Sequence, residues 1–234
     1  VKKLIFFLII FFSGQMAAFK NFVLISSPGS GKGTFSQYLV AKYGYVQICL
    51  GDIFRDEIRK QTTLGKQIES IVENGDYVDK TIACDLIAEN LRTVLKENKN
   101  FILDGFPRAK ISFEFLKKFL EDRDLTKNVC FLQLEACDTV CTKRILGRFV
   151  CPGCSVVYNS EFARSETLDI CDNCGTPLVA RSADSKKIAE KRLKFFHSEV
   201  EPLMELAKEF CEVEKIGTEC SLDKLKEKYE KLIG

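Results

Sequence analysis

Phe22-Val23-Leu24-Ile25 runs directly into Ser26-Ser27-Pro28-Gly29-Ser30-Gly31-Lys32-Gly33-Thr34, and this stretch decides the fold. Four apolar, partly β-branched residues suit a strand buried on both faces of a parallel sheet. The glycines that follow let successive backbone N–H groups curl around a phosphate. A helix, expected over residues 35–43, adds the dipole of its N-terminus. The segment meets most of the G-x-x-x-x-G-K-[ST] pattern, with Lys32 as a point charge for the terminal phosphates. It departs from that pattern twice: Ser26 holds the first glycine position, and Gly33 separates Lys32 from Thr34. A glycine-rich turn with no ligand is the bland alternative, and the strand before and helix after it argue against that.

Working outward, further strands are expected at 45–50, 101–104, 129–134 and 212–216, making five in all. Helical spacing is expected over 52–60, 64–73 (closed by Asn74-Gly75), 81–96, 116–120, 138–146, a long charged stretch 184–211, and 222–233. Strands alternating with helices imply an α/β protein with a parallel sheet flanked by helices. The alternation stops between Phe149 and Ala180, where paired cysteines, Pro, Gly and Asn replace it, so this segment is an insertion.

The third strand ends in Asp104. A carboxylate at the carboxyl end of a buried strand stands where it can hold a Mg²⁺-bound water beside the loop. The turn Gly105-Phe106-Pro107-Arg108 then presents a guanidinium whose fork suits a second phosphate. Arg144 and Arg148 are four residues apart and share one helix face. Such a like-charged pair is explained if polyphosphate neutralises it. A solvated face is the bland reading for either arginine alone.

Composition narrows the class. The chain has 234 residues, 46% hydrophobic and 29% charged, with 19 Phe against 14 Gly and 5 Pro, which excludes low-complexity disorder. Lys plus Arg number 35 and Asp plus Glu 33, leaving a net charge of only +2. A protein living on non-specific nucleic-acid binding carries a larger basic excess, so no nucleic-acid partner is expected. Eleven cysteines are an odd and scattered set. They make a poor disulfide framework and point to a reducing, cytoplasmic compartment. Seven of them, Cys49, Cys84, Cys130, Cys137, Cys141, Cys211 and Cys220, read as small core fillers.

The other four sit as Cys151-Pro152-Gly153-Cys154 and Cys171-Asp172-Asn173-Cys174. That spacing fits a C-x2-C, C-x2-C zinc template. Four thiolates leave no open position, so the Zn²⁺ is expected to be structural, stapling a segment too short to bury its own core.

The N-terminus pulls the other way. Lys2-Lys3, an apolar run from Leu4 to Phe12, and Ser13-Gly14 resemble a short secretory signal. The run is too short for a membrane-spanning helix, which needs about 20 residues, and no stable membrane association is expected. Residues 1–18 are read as an apolar extension, with a start-site artefact (the chain then beginning at Met16) preferred to a signal or a structured element.

Taken together, Pro28 to Thr34, Gly51-Asp52-x-x-Arg55, Asp104 to Arg108, Arg144-x-x-x-Arg148, Arg181, Lys191-Arg192-Leu193, His197 and Pro202-Leu203 resemble the adenylate kinase family, of the long-lid, zinc-knuckle type. The likeness covers residues 19–234 in order. It implies a P-loop nucleoside-monophosphate kinase fold: a core of 19–48, 79–148 and 185–234, a helical monophosphate-binding segment at 49–78, and a zinc-carrying lid at 149–184. It implies Mg²⁺-dependent transfer of the terminal phosphate of ATP to AMP by a monomer. Lys32, Asp104, Arg108, Arg144, Arg148, Arg181 and Arg192 would carry the transfer. Residues 28–34 with Arg144 and Arg148 would bind ATP, and Leu50, Gly51, Arg55, Val78, Gly105, Arg108, Ser112, Arg181 and Arg192 would bind AMP. The sequence departs from the family at Leu50, where a hydroxyl is usual, and at Ser112, where a base-reading Gln is usual. Other departures are Phe149, often basic, and Ala183, which replaces one of two acids after Arg181 and leaves Asp184 alone. Leu50 and Ser112 keep a kinase for CMP, UMP or GMP open. Ser26 and Ala183 keep open a degenerate kinase that binds nucleotide without turnover. The knuckles alone would permit a zinc-ribbon binder of nucleic acid, and the near-neutral charge counts against it. His197 is read as structural.

Overall fold

The computed structural model describes residues 21–74, 76–154, 156–181 and 184–233. The readings of the N-terminal extension, of Gly75 as a cap and of Ala183 lie outside them. Strands β1 (Asn21–Leu24), β2 (Val46–Cys49), β3 (Phe101–Asp104), β4 (Val129–Glu135) and β8 (Glu212–Gly217) form a parallel five-stranded sheet in the order β2-β3-β1-β4-β8. Between β4 and β8 in the chain come β5 (Arg148–Val150), β6 (Val157–Asn159) and β7 (Val179–Ala180), a separate antiparallel sheet in the order β6-β5-β7.

The period-two pleat sorts the side chains of the large sheet into two cores. Phe22, Leu24, Ile102, Cys130, Leu132 and Leu134 pack with Phe35 and Leu39 of α1 (Lys32–Tyr43) and with Leu225, Tyr229 and Ile233 of α9 (Leu222–Ile233). Val23, Ile25, Phe101, Leu103, Val129 and Phe131 pack on the other face. Their partners are Ile87 and Leu91 of α4 (Lys80–Lys96) and Phe113, Leu116 and Leu120 of α5 (Lys110–Glu121). Burial on both faces is why β1, β3 and β4 read as unbroken apolar runs rather than alternating ones. Truncating a ring such as Phe131, fully buried, would cost about 3–5 kcal/mol.

Four expectations need correction. The helix that carries Arg144 ends at Leu146 and Arg148 opens β5, so the two arginines do not share a helix face. The long helix over 184–211 is three pieces: α7 (Lys186–Phe195), a π-helical turn Phe196–Val200, and α8 (Leu203–Ala207). Glu201 N–H reaches back five residues to Phe196 O, and Pro202, lacking an N–H, starts the next piece. The helix expected over 116–120 begins six residues earlier, at Lys110. Cys137 is also exposed rather than a core filler, whereas Cys84, Cys130 and Cys141 are buried.

Because β1 lies between β3 and β4, the strand order turns outward on both sides of it. The crevice at its carboxyl end is where an open parallel sheet receives ligands. Two helices, α2 (Leu50–Arg59) and α3 (Thr63–Glu73), stand beyond β2, and α6 (Asp138–Leu146) leads from β4 to the small sheet.

Candidate active site

The loop after β1 closes over the start of α1. Gly31, with φ of 104°, is the cap residue before Lys32, and Ser30 N–H bonds to Ser27 O at 3.2 Å. Gly29 has φ of 82°, and a Cβ there would lie 2.4 Å from the carbonyl oxygen of Cys141 on α6. Only glycine fits that approach. Ser26, which departs from the loop pattern, uses its hydroxyl to bind the loop to β4: it accepts from Leu134 N–H at 2.7 Å and reaches Leu132 O at 3.4 Å. Pro28 and Gly33 lie half-buried along the loop, and Thr34 is exposed in the first turn of α1.

Lys32 donates to Ser26 O at 3.0 Å and Ser27 O at 2.8 Å. Burial lowers its pKa, Asp104 pulls the other way, and Arg108 and Arg148 lower it further. Asp104, buried at the end of β3, is therefore the carboxylate facing the lysine. Arg108 donates from Nε to Gly105 O at 2.7 Å, and Gly105 leaves room for its guanidinium: a Cβ there would meet Arg108 Nη2 at 2.9 Å.

A second group gathers around Asp184, whose side chain is only 4% exposed. Arg148 Nε stands 3.3 Å and Arg192 Nη1 3.7 Å from its two oxygens, close in charge but without an aligned hydrogen bond. Arg181 lies close enough to feel Asp184, Arg55 and Arg148. Burial, then the neighbouring Arg55 and Arg148, pulls its pKa down to about 10. Its Nε is a buried donor with no partner among the described residues. Arg55 pairs with Asp52 and packs over Gly51. Lys32, Arg55, Arg108, Arg148, Arg181 and Arg192 thus outnumber Asp52, Asp104 and Asp184 by six to three. Cations crowded like this repel one another unless an anion joins them, so the cluster suits polyphosphate.

Arg144 stands on the other side of the loop. Its Nη1 donates to Thr218 Oγ1 at 3.0 Å and reaches Gly29 O at 3.4 Å, and its Nη2 donates to Thr218 O at 2.8 Å. Thr218, fully buried, donates in turn to Ser30 O at 2.8 Å. Sequence reasoning passed over Thr218, because a lone threonine after a strand carries no local pattern. Phe162 of the insertion, 5.3 Å from the Arg144 guanidinium, was missed for the same reason.

Three of the residues expected at the AMP site are held by local structure. Leu50 and Val78 are buried in the core on the α4 side of the sheet. Ser112 Oγ accepts from the backbone N–H of Arg108 and Ala109 at 3.2 and 3.1 Å and donates to Ala109 O at 2.8 Å, so it caps α5. All three of these bonds stay within the turn.

In the insertion, the Sγ atoms of Cys151, Cys154, Cys171 and Cys174 lie within 4.8 Å of one another, with Cys151–Cys174 at 3.3 Å and Cys154–Cys171 at 3.4 Å. A Zn–S bond of about 2.3 Å puts tetrahedral sulfurs about 3.8 Å apart, so the cluster has the right size. Burial opposes ionisation of Cys171, and hydrogen bonds from Tyr158 Oη and from backbone N–H groups outweigh it, bringing its pKa to about 6. Four thiols converging at this spacing suit a divalent metal.

A parallel sheet with its phosphate loop at the switch point, a cationic cluster and a four-cysteine insertion define a P-loop kinase of the nucleoside-monophosphate type. Comparison with known proteins agrees. The family described as adenylate kinase matches residues 24–211. The adenylate kinase of Thermococcus kodakarensis is 34% identical over 184 residues, covering 79% of this chain and 80% of its own. That of Borreliella burgdorferi is 33% identical over 211 residues, 90% and 97% of the two chains. That of Bacillus cytotoxicus is 32% identical over 217 residues, 92% and 98%. The chain belongs to the adenylate kinase family, and is accordingly a nucleotide-binding kinase.

Proposed function

We propose that this protein transfers the terminal phosphate of ATP reversibly to AMP, giving two ADP. The observation that carries the reading is the excess of cations over carboxylates around the phosphate loop, with a buried Arg181 Nε that has no partner among the described residues. In-line phosphoryl transfer needs positioning and charge neutralisation more than covalent help, and the acceptor is already an anion, so no general base is required.

The loop amides of residues 29–34 hold the donor phosphates, with Pro28 opening the loop, and Lys32 exchanges its Ser26 and Ser27 carbonyls for phosphate oxygens. Arg144 and Arg148 flank the donor, Arg55 and Arg108 hold the AMP phosphate, and Arg181 and Arg192 reach both from the Asp184 hub. Asp104 fits Mg²⁺: it is a buried carboxylate beside Lys32 at the strand end, and it would hold the ion, which would supply charge neutralisation to the phosphates. The four cysteines would hold a structural Zn²⁺, whose role is to fix the insertion's fold. Residues 49–78, with α2 and α3, are the proposed monophosphate segment, and 149–184 the proposed lid, which on closing excludes water and suppresses hydrolysis.

Ser112 favours a second reading. With its hydroxyl committed to the cap and no amide at that place, discrimination for adenine has lost one hydrogen-bonding group, and CMP, UMP or GMP becomes a competing acceptor. Among the described residues no helix is long and apolar enough to cross a membrane. We place the enzyme in the cytoplasm as a monomer. The test is diphosphate formation from Mg-ATP with AMP, CMP, UMP and GMP in parallel. Preference for AMP by at least tenfold is expected, equal or better use of another monophosphate moves the enzyme to a sister activity, and no transfer refutes the reading.

A further inference from the structure

Asp76-Tyr77-Val78 joins α3 to α4 and carries no motif. The structure nonetheless concentrates contacts there. The Tyr77 ring stacks on Phe195, the last residue of α7, with centroids 3.8 Å apart and planes inclined by 25°. On the same ring the Arg108 guanidinium sits 5.2 Å from the centroid. Asp76 forms an ion pair with Lys191 on α7. Val78, the residue after Tyr77, is buried in the core.

We propose that Tyr77 is a positioning residue for the acceptor side of the reaction: wedged between Phe195 and Arg108, it sets the direction of the Arg108 arm and ties it to the helix that carries Arg192. The inference rests on the proposed AMP kinase activity and deepens it.

Arg108 otherwise has one directional restraint, the 2.7 Å bond from Nε to Gly105 O. A single bond at Nε leaves the terminal Nη atoms free to swing about it. A ring against the guanidinium plane removes that freedom without consuming any N–H group, because a cation is held over a π face by the ring quadrupole. All four Nη protons stay available for a phosphate, and the arm is already aimed when AMP arrives. Preorganisation of this kind strengthens binding by lowering its ordering cost. Phe195, stacked on the same ring, fixes its position relative to α7 and hence to Arg192, three residues earlier on that helix. Tyr77 also lies close enough to Arg108 and Arg192 for both to favour its ionised form, while burial raises its pKa overall. That places both arginines next to one ring.

The test compares Tyr77→Leu, Tyr77→Phe and Phe195→Leu with the unsubstituted chain, reading kcat and KM for AMP and ATP separately, with calorimetric AMP binding. Tyr77→Leu should raise KM and Kd for AMP about tenfold, leave KM for ATP within about twofold, and be rescued by Tyr77→Phe, which keeps the π face. Phe195→Leu should move the same constants in the same direction by a smaller factor. In an Arg108→Lys background, Tyr77→Leu should add little to the loss of AMP affinity, because the group it orients is gone. The inference is overturned if Tyr77→Leu leaves the AMP constants unchanged, if AMP and ATP constants shift together, if Tyr77→Phe fails as badly as Leu, or if the losses add fully in the Arg108→Lys background. Absence of AMP turnover by the unsubstituted chain would instead overturn the activity on which the inference rests.

Discussion

Replacing Thr218 by Val tests whether the hydroxyl just after β8 holds the phosphate loop and Arg144 together. The two side chains have nearly the same shape, so the change removes hydrogen bonds and little packing. Thr218 Oγ1 donates to Ser30 O at 2.8 Å, with Glu135 O at 3.2 Å as the alternative acceptor, and accepts from Arg144 Nη1 at 3.0 Å. One proton serves one carbonyl at a time, so the loss is one neutral bond, worth about 1 kcal/mol, and one bond from a charged donor, worth about 1.5–3 kcal/mol. Arg144 keeps Thr218 O through Nη2 at 2.8 Å, which recovers part of the second loss. A net cost of about 2–3 kcal/mol follows, or a fall in Tm of about 4–12 °C for a chain of this size. In steady-state assays the KM for ATP should rise while the KM for AMP holds, because the freed groups, Ser30 O and the Arg144 fork, border the donor side. Thr218→Ser keeps the hydroxyl and should recover most of both effects. A Val variant that melts within about 1 °C of the parent with an unchanged KM for ATP would refute the reasoning.

Three further outcomes are expected. Hydrogen bonds to Glu201 and Asp138, at 2.7 and 3.0 Å, hold His197 protonated above its ordinary 6.5. The stability this gives is full below pH 6.5 and is lost as pH rises through the higher folded value. The Tm advantage over His197→Gln should therefore shrink as pH rises above 6.5, modestly because the ring is half exposed; a constant difference would contradict this. Chelation at mildly acid pH should release zinc, expose the 149–184 insertion to proteolysis and lower Tm, with Cys171→Ser reproducing the effect; a chelator-treated protein that keeps its protease resistance would count against a structural metal. Gly29→Ala should destabilise by about 2–4 kcal/mol, from the left-handed backbone and the collision with Cys141 O, seen as a lower denaturant midpoint and weaker ATP binding; a neutral result would mean that α6 yields freely.

What could be read from the chain was whatever its neighbours in sequence decide. The strand–loop–helix at 22–43, the acid closing Phe101-Ile102-Leu103-Asp104 and the two C-x-x-C pairs depend on local spacing, and the structure places each accordingly. The start of α5 was obscured because Ile111 is 62% exposed, which blurs the helical period. The long charged stretch hid the π turn because Glu, Lys and Phe spacing continues through it while only Pro202 marks the break. Ser112 and Leu50 are read from what the family places there; the cap that Ser112 makes and the core position of Leu50 depend on neighbours that the family pattern does not describe. Thr218 and Tyr77 were out of reach for another reason: their partners are far off in the sequence, 188 residues for Thr218 and Ser30, and nothing nearby announces them.

The same separation has a consequence for how the protein is made. The phosphate loop leaves the ribosome well before β8 and the threonine that supports the loop, which lies 188 residues after Ser30. Until then β4, buried along six of its seven residues in the finished fold, has no partner on the side that β8 will occupy. Its N–H and C=O groups stand open beside Val129, Phe131 and Leu132, a template for pairing with another nascent chain. The unfinished polypeptide is then both unable to hold nucleotide firmly and prone to stick to its neighbours, and the arrival of residues 212–218 ends both conditions in one step.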